Sequence, residues 1–292
     1  MKFMVKPPEC EKLKDVKKDL LCECKEIKYP SWIDRNKRES KGCLIAHTLL
    51  ALVEIEKILH RVIGSVRRAF NVLENSATIE PTEVLYSTLL FHDIGKIDNH
   101  YRTGELTSHN VISAYLAKIV LEKIYPVSVT NSISMAIYLH HEAYHWRDLA
   151  LLPILDILRL KKEISVEVNK KDLLELLTVF RENCTLFSKQ GTLCKVINNI
   201  INIIGSIEEH LKFKAKISVF FPKELQRHIK PTRGVAKFSA LRPVFVLYRL
   251  LHLVDCRAAS VREGLDKYWA CGIRDIKKKW LAYSMLPRDL SF

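Results

Sequence analysis

No two of the eight cysteines stand in a C-x-x-C pair, which argues against a zinc ribbon. Reduced thiols are the expected state of Cys10, Cys22, Cys24 and Cys43, ahead of a metal site or disulfides. Glycine is scarce at nine residues, and there is neither an internal repeat nor a low-complexity linker. The sequence has no G-x-x-x-x-G-K-[ST] element, so it carries no recognisable phosphate loop for ATP. The N-terminal "MKFMVKPPECEKLK" has no apolar core of a signal peptide, and the most apolar later stretch, "PVFVLYRLLHLVD", is broken by Arg249 and His252. Neither export nor membrane spanning is expected, and a cytoplasmic protein is. Only two glutamines, Gln190 and Gln226, occur in a chain rich in lysine and isoleucine. This hints at a thermophilic source, where intracellular disulfides become less improbable.

What the sequence does have is charge of one sign. The formal net charge is +14, which points to a polyanionic partner such as nucleic acid. At 292 residues, with 48% hydrophobic and 27% charged residues, the chain suffices for one large globular domain with an ample core, or for a core plus an appendage. Apolar residues recur at three- and four-residue spacing, so an all-α bundle is expected. Residues 42–63 make a first helix. Pro81 opens a second, which Gly95 closes as a left-handed C-terminal residue. Ser108 caps a third, from His109 to about Ile124; "VTNSISMAIYLHHEAYHW" makes a fourth; Pro243 starts a long one that Gly264 ends.

Four regions are expected: a basic, partly irregular arm over 1–40, a core over 41–160, an insertion or subdomain over 161–235, and C-terminal helices over 236–292 that complete the site. The insertion is mostly helical, in "DLLELLTVF" and "LCKVINNIINIIGSIEEHL", with a short strand in "KAKISVFF".

Several polar residues do not suit their helices. His47 lies on the first, His92 and Asp93 end the second, His109 starts the third, His140 and His141 lie late on the fourth, and Asp255 lies within the long C-terminal helix. Each falls in or beside an apolar stretch, where an unpartnered imidazole or carboxylate costs several kcal/mol. They can satisfy one another only by clustering. Four or more imidazoles with shared carboxylates suit Mn, Fe, Co, Ni or Zn, whereas Mg alone prefers an all-oxygen site.

The ordered set "HDIGK", "TSHNVISAYLAK", "IYLHHEAYHW" and "LVDCRAAS" resembles the HD phosphohydrolase superfamily, whose helical fold holds one or two metals. Within it the chain looks most like the HD nuclease of type I CRISPR systems, in the stand-alone archaeal form encoded apart from the CRISPR helicase. The resemblance covers about residues 42–146 and 240–262.

It implies two divalent transition metal ions, Mn, Ni, Co or Fe, with Mg able to serve in an assay. The first would be held by His47, His92, Asp93 and Asp255, the second by Asp93, His109, His140 and His141, with Asp93 bridging. Lys96 matches the family's lysine and would contact the phosphate or help the leaving group; as a cation it also suits a helix C-terminus. His252, one turn before Asp255, is a candidate partner of the ligands. His100 and His145 are candidates to line the substrate path, and Tyr144 and Trp146 to stack on bases. The runs at 35–41 and 277–280 are candidate phosphate contacts.

The implied activity is metal-dependent cleavage of single-stranded DNA in CRISPR interference, an antiviral defence. The implied partners are a separate helicase subunit and an RNA-guided surveillance complex. The alternative is an HD phosphohydrolase of nucleotides or cyclic nucleotides, although the Gly-Tyr-Pro of the cyclic-di-GMP subgroup is missing. A scaffold subunit with a degenerate site is the third reading, opposed by the complete ligand set.

Overall fold

A computed structural model describes residues 8–16, 19–20, 28–34, 39–73, 79–103, 109–140, 163–207, 210–216 and 241–262. The fold is predominantly helical, as expected. In chain order the elements are α1 (Pro8–Val16), β1 (Pro30–Asp34), β2 (Glu39–Cys43), α2 (Leu44–Phe70), α3 (Pro81–Phe91), a 3-10 turn (Ile94–Ile97), α4 (Asn99–Arg102), α5 (His109–Leu121) and α6 (Val127–Leu139). There follow β3 (Glu163–Asn169), α7 (Lys170–Asn183), a second 3-10 turn (Cys184–Leu186), α8 (Gln190–Gly205), β4 (His210–Lys216) and α9 (Arg242–Arg262).

The long helix α2 is the spine of the bundle. From Ala46 to Val53 every residue is buried, whereas its second half buries only one face, through Ile55, Leu59, Val66 and Phe70. Its entry is fixed by backbone: Gly42 adopts φ 69°, a left-handed conformation that glycine takes without a Cβ clash. Leu44 N then donates to Tyr29 O at 2.9 Å. Helix α9 packs along α2, α5 packs on α6, and α6 also packs against α9. Pro81 begins α3 as expected, and Glu80 caps it by accepting from Thr82 N at 3.3 Å and Thr82 Oγ1 at 2.9 Å.

Gly95 departs from the expectation. The helix ends at Phe91, and Gly95 lies inside the 3-10 turn with no left-handed backbone. Its lack of a side chain serves packing, because a Cβ there would stand 2.3 Å from His109 O and 2.8 Å from Ser113 N. The turn therefore presses directly on the first turn of α5.

The N-terminal stretch contributes α1, whose Cys10 and Leu13 are in the core, and a β1–β2 hairpin pairing Pro30 with Cys43 and Trp32 with Lys41. In the segment read as an insertion, α7 and α8 fall where the helical stretches lie, but α8 stops at Gly205. The expected strand begins earlier, at His210, and pairs antiparallel with β3, with Glu167 opposite Lys212. A disulfide joins Cys184 to Cys194 across the α7–α8 connection. Among the described residues no helix is long and apolar enough to cross a membrane.

Candidate metal centre

Two helix ends present histidines by the same local device. His92 is the C-cap of α3 and His140 the C-cap of α6. His92 Nδ1 donates to Leu89 O at 2.6 Å, and His140 Nδ1 donates to Ile137 O at 2.5 Å. A carbonyl can only accept, so each Nδ1 carries a proton and each Nε2 is turned into the bundle. Fixing a ring by its other nitrogen is how proteins orient metal-ligating histidines. After His92 the chain leaves the helix at Asp93, φ −115° and ψ 3°, which directs that carboxylate into the same space.

The other donors come from elsewhere in the fold. His47 comes from the fully buried half of α2, His109 from the start of α5, and Asp255 from α9. His47 Nε2 lies 2.8 Å from Asp255 Oδ1 and 3.4 Å from Asp93 Oδ2. His92 Nε2 lies 3.5 Å from Asp93 Oδ2 and 3.8 Å from Asp255 Oδ1. On the opposite oxygen, His109 Nε2 lies 3.1 Å and His140 Nε2 3.5 Å from Asp93 Oδ1. Two groups of potential metal ligands result: His47, His92, Asp93 and Asp255 in one, and Asp93, His109 and His140 in the other. Within each group the ligand atoms lie within 4.8 Å of one another. Asp93 belongs to both.

The electrostatics suit a cation. Burial alone would raise the Asp93 carboxyl, but the Lys96 ammonium and the surrounding imidazoles hold it well below the usual carboxylate range. Asp255, also opposed by burial, is held low by its hydrogen bond to His47. Burial pushes His92 down to about 4, despite the two carboxylates, so near neutrality its ring is uncharged and available as a ligand. His92 Nε2 is buried with no hydrogen-bond partner among the described residues, an arrangement a metal ion would satisfy. Imidazole and carboxylate donors in this ratio fit a borderline divalent metal. The buried His/Asp cluster can bind metal, and it is compatible with a metal-dependent hydrolase of the HD type.

His141 lies outside the described residues, as do Tyr144, His145, Trp146 and the run at 277–280. Of the run at 35–41, residues 39–41 belong to β2. Lys96 is buried at 5% exposure and donates to Asp93 Oδ2 at 2.5 Å, from within the 3-10 turn and not at the end of α3. His252 hydrogen-bonds the backbone of His140, and burial lowers its pKa. It thus touches a ligand residue's own peptide. His100 stands in the first turn of α4, half-buried and outside both ligand groups.

Sequence reasoning missed the supports. Ser113 Oγ accepts from Gly95 N at 2.8 Å, Asn110 Nδ2 donates to Tyr138 O at 2.6 Å, and the Tyr101 ring packs edge-on against His109 at 5.1 Å. Only Asp98, an aspartate immediately before the short helix "NHYR", carried a local capping signal.

No protein-family model, no curated protein and no solved structure matches the chain. It is the donor set itself that points to a metal centre.

Proposed function

We propose that the chain is a metal-dependent nuclease that hydrolyses phosphodiester bonds of single-stranded DNA during CRISPR interference, using two divalent transition metal ions. The observation that carries this reading is Asp93, whose two oxygens face two separate groups of histidine donors. A pair of metals bound there would supply an activated water and neutralise charge on the phosphate.

The chain's own residues supply the rest. His92 and His140 hold their Nε2 atoms in place through backbone carbonyls. Lys96 keeps the shared carboxylate ionised, and its cation stands within reach of a phosphate brought to that carboxylate. Asp255 and His109 are the most exposed of the described donors, at 8% and 7%, so substrate approaches on their side. The +14 charge favours a strand over a mononucleotide, because each neutralised phosphate of a strand releases counterions. With no phosphate loop, the protein depends on a separate helicase, working with an RNA-guided complex in the cytoplasm, to open the duplex.

The test uses metal-stripped protein with labelled single-stranded DNA, adding Mn, Ni, Co, Fe or Mg separately, beside Asp93→Ala. Metal-dependent cleavage by the wild type alone is the expected result. Hydrolysis of nucleotides or cyclic nucleotides with the DNA left intact would overturn the nuclease reading and favour a small-molecule phosphohydrolase. Activity in Asp93→Ala equal to wild type would overturn the shared-carboxylate site.

A further inference from the structure

Helix α4 is a single turn between the 3-10 turn that follows Asp93 and the chain leading to α5, and a helix that short does not hold itself together. Asp98 holds it. This fully buried residue accepts from His100 N at 2.8 Å and Tyr101 N at 3.1 Å through Oδ1, which closes the helix's N-terminus. Its other oxygen, Oδ2, accepts from Glu167 N at 2.7 Å. In a two-stranded sheet alternate N–H groups point away from the partner strand, and the carboxylate of Asp98 occupies one such position on β3. A second tie lies one turn on, where Arg102 Nη1 stands 3.3 Å from Asp172 Oδ2 of α7. Between these anchors, Tyr101 lays its ring edge-on to His109.

Resting on the two-metal reading, we infer that Asp98 is a positioning residue for the second metal. The β3–α7 segment grips α4 through Asp98, and α4 in turn holds His109 against Asp93 through Tyr101. The segment that sequence reads as an insertion is thereby linked through Asp98 to His109, while its contacts with α2 and α3, Ser188 to Glu56 and Lys195 to Glu83, do not involve Asp98. His47 and Asp255 ride on α2 and α9 and His92 caps α3, and among the described residues the hydrogen bonds of the Asp98 carboxylate go to α4 and β3 instead.

The test is a cobalt(II) titration of metal-stripped full-length protein, followed by visible absorbance and elemental analysis, comparing wild type with Asp98→Ala and Asp98→Asn. Outer-shell losses typically cost about 10- to 100-fold in metal affinity. Asp98→Ala is expected to bind the first equivalent as wild type does and the second at least about tenfold more weakly, with excess Mn restoring cleavage. Asp98→Asn keeps one acceptor oxygen but turns an N–H pair toward either α4 or Glu167 N. It should fold and show the same selective loss, to a smaller degree. Ser65→Ala removes the hydroxyl that accepts from Arg68 Nη2 at 3.0 Å in the second half of α2, away from α4, and should leave both equivalents unchanged.

Wild-type protein that binds two equivalents, with both Asp98 variants binding them as tightly, would overturn the inference alone. So would equal weakening of both equivalents in Asp98→Asn. A wild type that binds a single equivalent would overturn the two-metal reading and this inference with it.

Discussion

Gly95→Ala tests whether the turn after Asp93 and the start of α5 are locked together as the geometry requires. The added methyl would sit 2.3 Å from His109 O, 2.8 Å from Ser113 N and 2.9 Å from Ile112 Cβ. Two of those atoms are backbone in a buried helix, so no side-chain rotation relieves the contact. Bringing the first separation even to 3.0 Å moves α5 relative to the turn by roughly 0.7 Å, and ordinary van der Waals contact needs more.

Such a shift lengthens the Gly95 N to Ser113 Oγ hydrogen bond, now 2.8 Å, and carries His109 away from an oxygen 3.1 Å distant. Overpacking of this kind costs about 1–3 kcal/mol, and loss of the hydrogen bond adds roughly 1 kcal/mol. The expected outcome is a variant about 2–4 kcal/mol less stable by urea unfolding, with weakened binding of the second metal equivalent. Gly191→Ala is the internal control. Nothing lies within 4 Å of its Cβ position in α8, so it should gain up to about 1 kcal/mol from reduced freedom of the unfolded chain. Wild-type stability and metal stoichiometry in Gly95→Ala would refute the reasoning.

Asp93→Ala should lose both metal equivalents and also unfold more readily, because the buried Lys96 ammonium loses the carboxylate it donates to; breaking such a pair costs about 3–5 kcal/mol. Asp93→Ala/Lys96→Met should recover much of that stability without recovering activity, and denaturant titration of the two variants reads the difference. His92 gives metal-free protein a pH-dependent stability. Its folded pKa, about 4, lies below the ordinary histidine value, so the unfolded chain binds the extra proton between roughly pH 6.5 and 4. Stability should therefore fall by on the order of 3 kcal/mol as pH drops through that window, with the carboxylates adding a further loss below about pH 4. A flat profile over pH 6.5–4 would contradict this account of His92.

The candidate ligands were legible because each breaks the apolar pattern of its own helix. His47 within "LIAHTLLALV" and Asp255 within "LHLVDCRAA" are conspicuous in one dimension, since burying them unpaired is expensive. What holds them was not legible. A glycine just beyond an apolar run reads as a helix stop, and only the approach of α5, fourteen residues later in sequence at His109, shows why Gly95 bears no side chain. Strand β3 is short, and its partner β4 begins beyond two helices, so no hairpin signal marks it. The Cys184–Cys194 bridge depends on α7 and α8 folding back together, and spacing alone does not specify a pairing. Likewise α1 was masked by the basic composition of its stretch, since Cys10 and Leu13 are the residues that dock it.

A core built only for stability would not contain this cluster. Two carboxylates held ionised face one lysine ammonium, so the donors lean negative in a region where charge is costly. The hydrogen bonds that relieve part of this cost are themselves selective. The backbone carbonyl of Leu89 consumes the Nδ1 proton of His92, which leaves its Nε2 an acceptor directed at carboxylates that also only accept. Acceptors facing acceptors repel, and a buried acceptor left unsatisfied costs about 1–3 kcal/mol. Turning the His92 ring to donate to Asp93 would abandon the carbonyl hydrogen bond, so the fold keeps the apposition in place. A multivalent cation between the two sets reverses the sign of every one of these contacts at once, which is why the arrangement is better understood as a metal centre than as a strained piece of core.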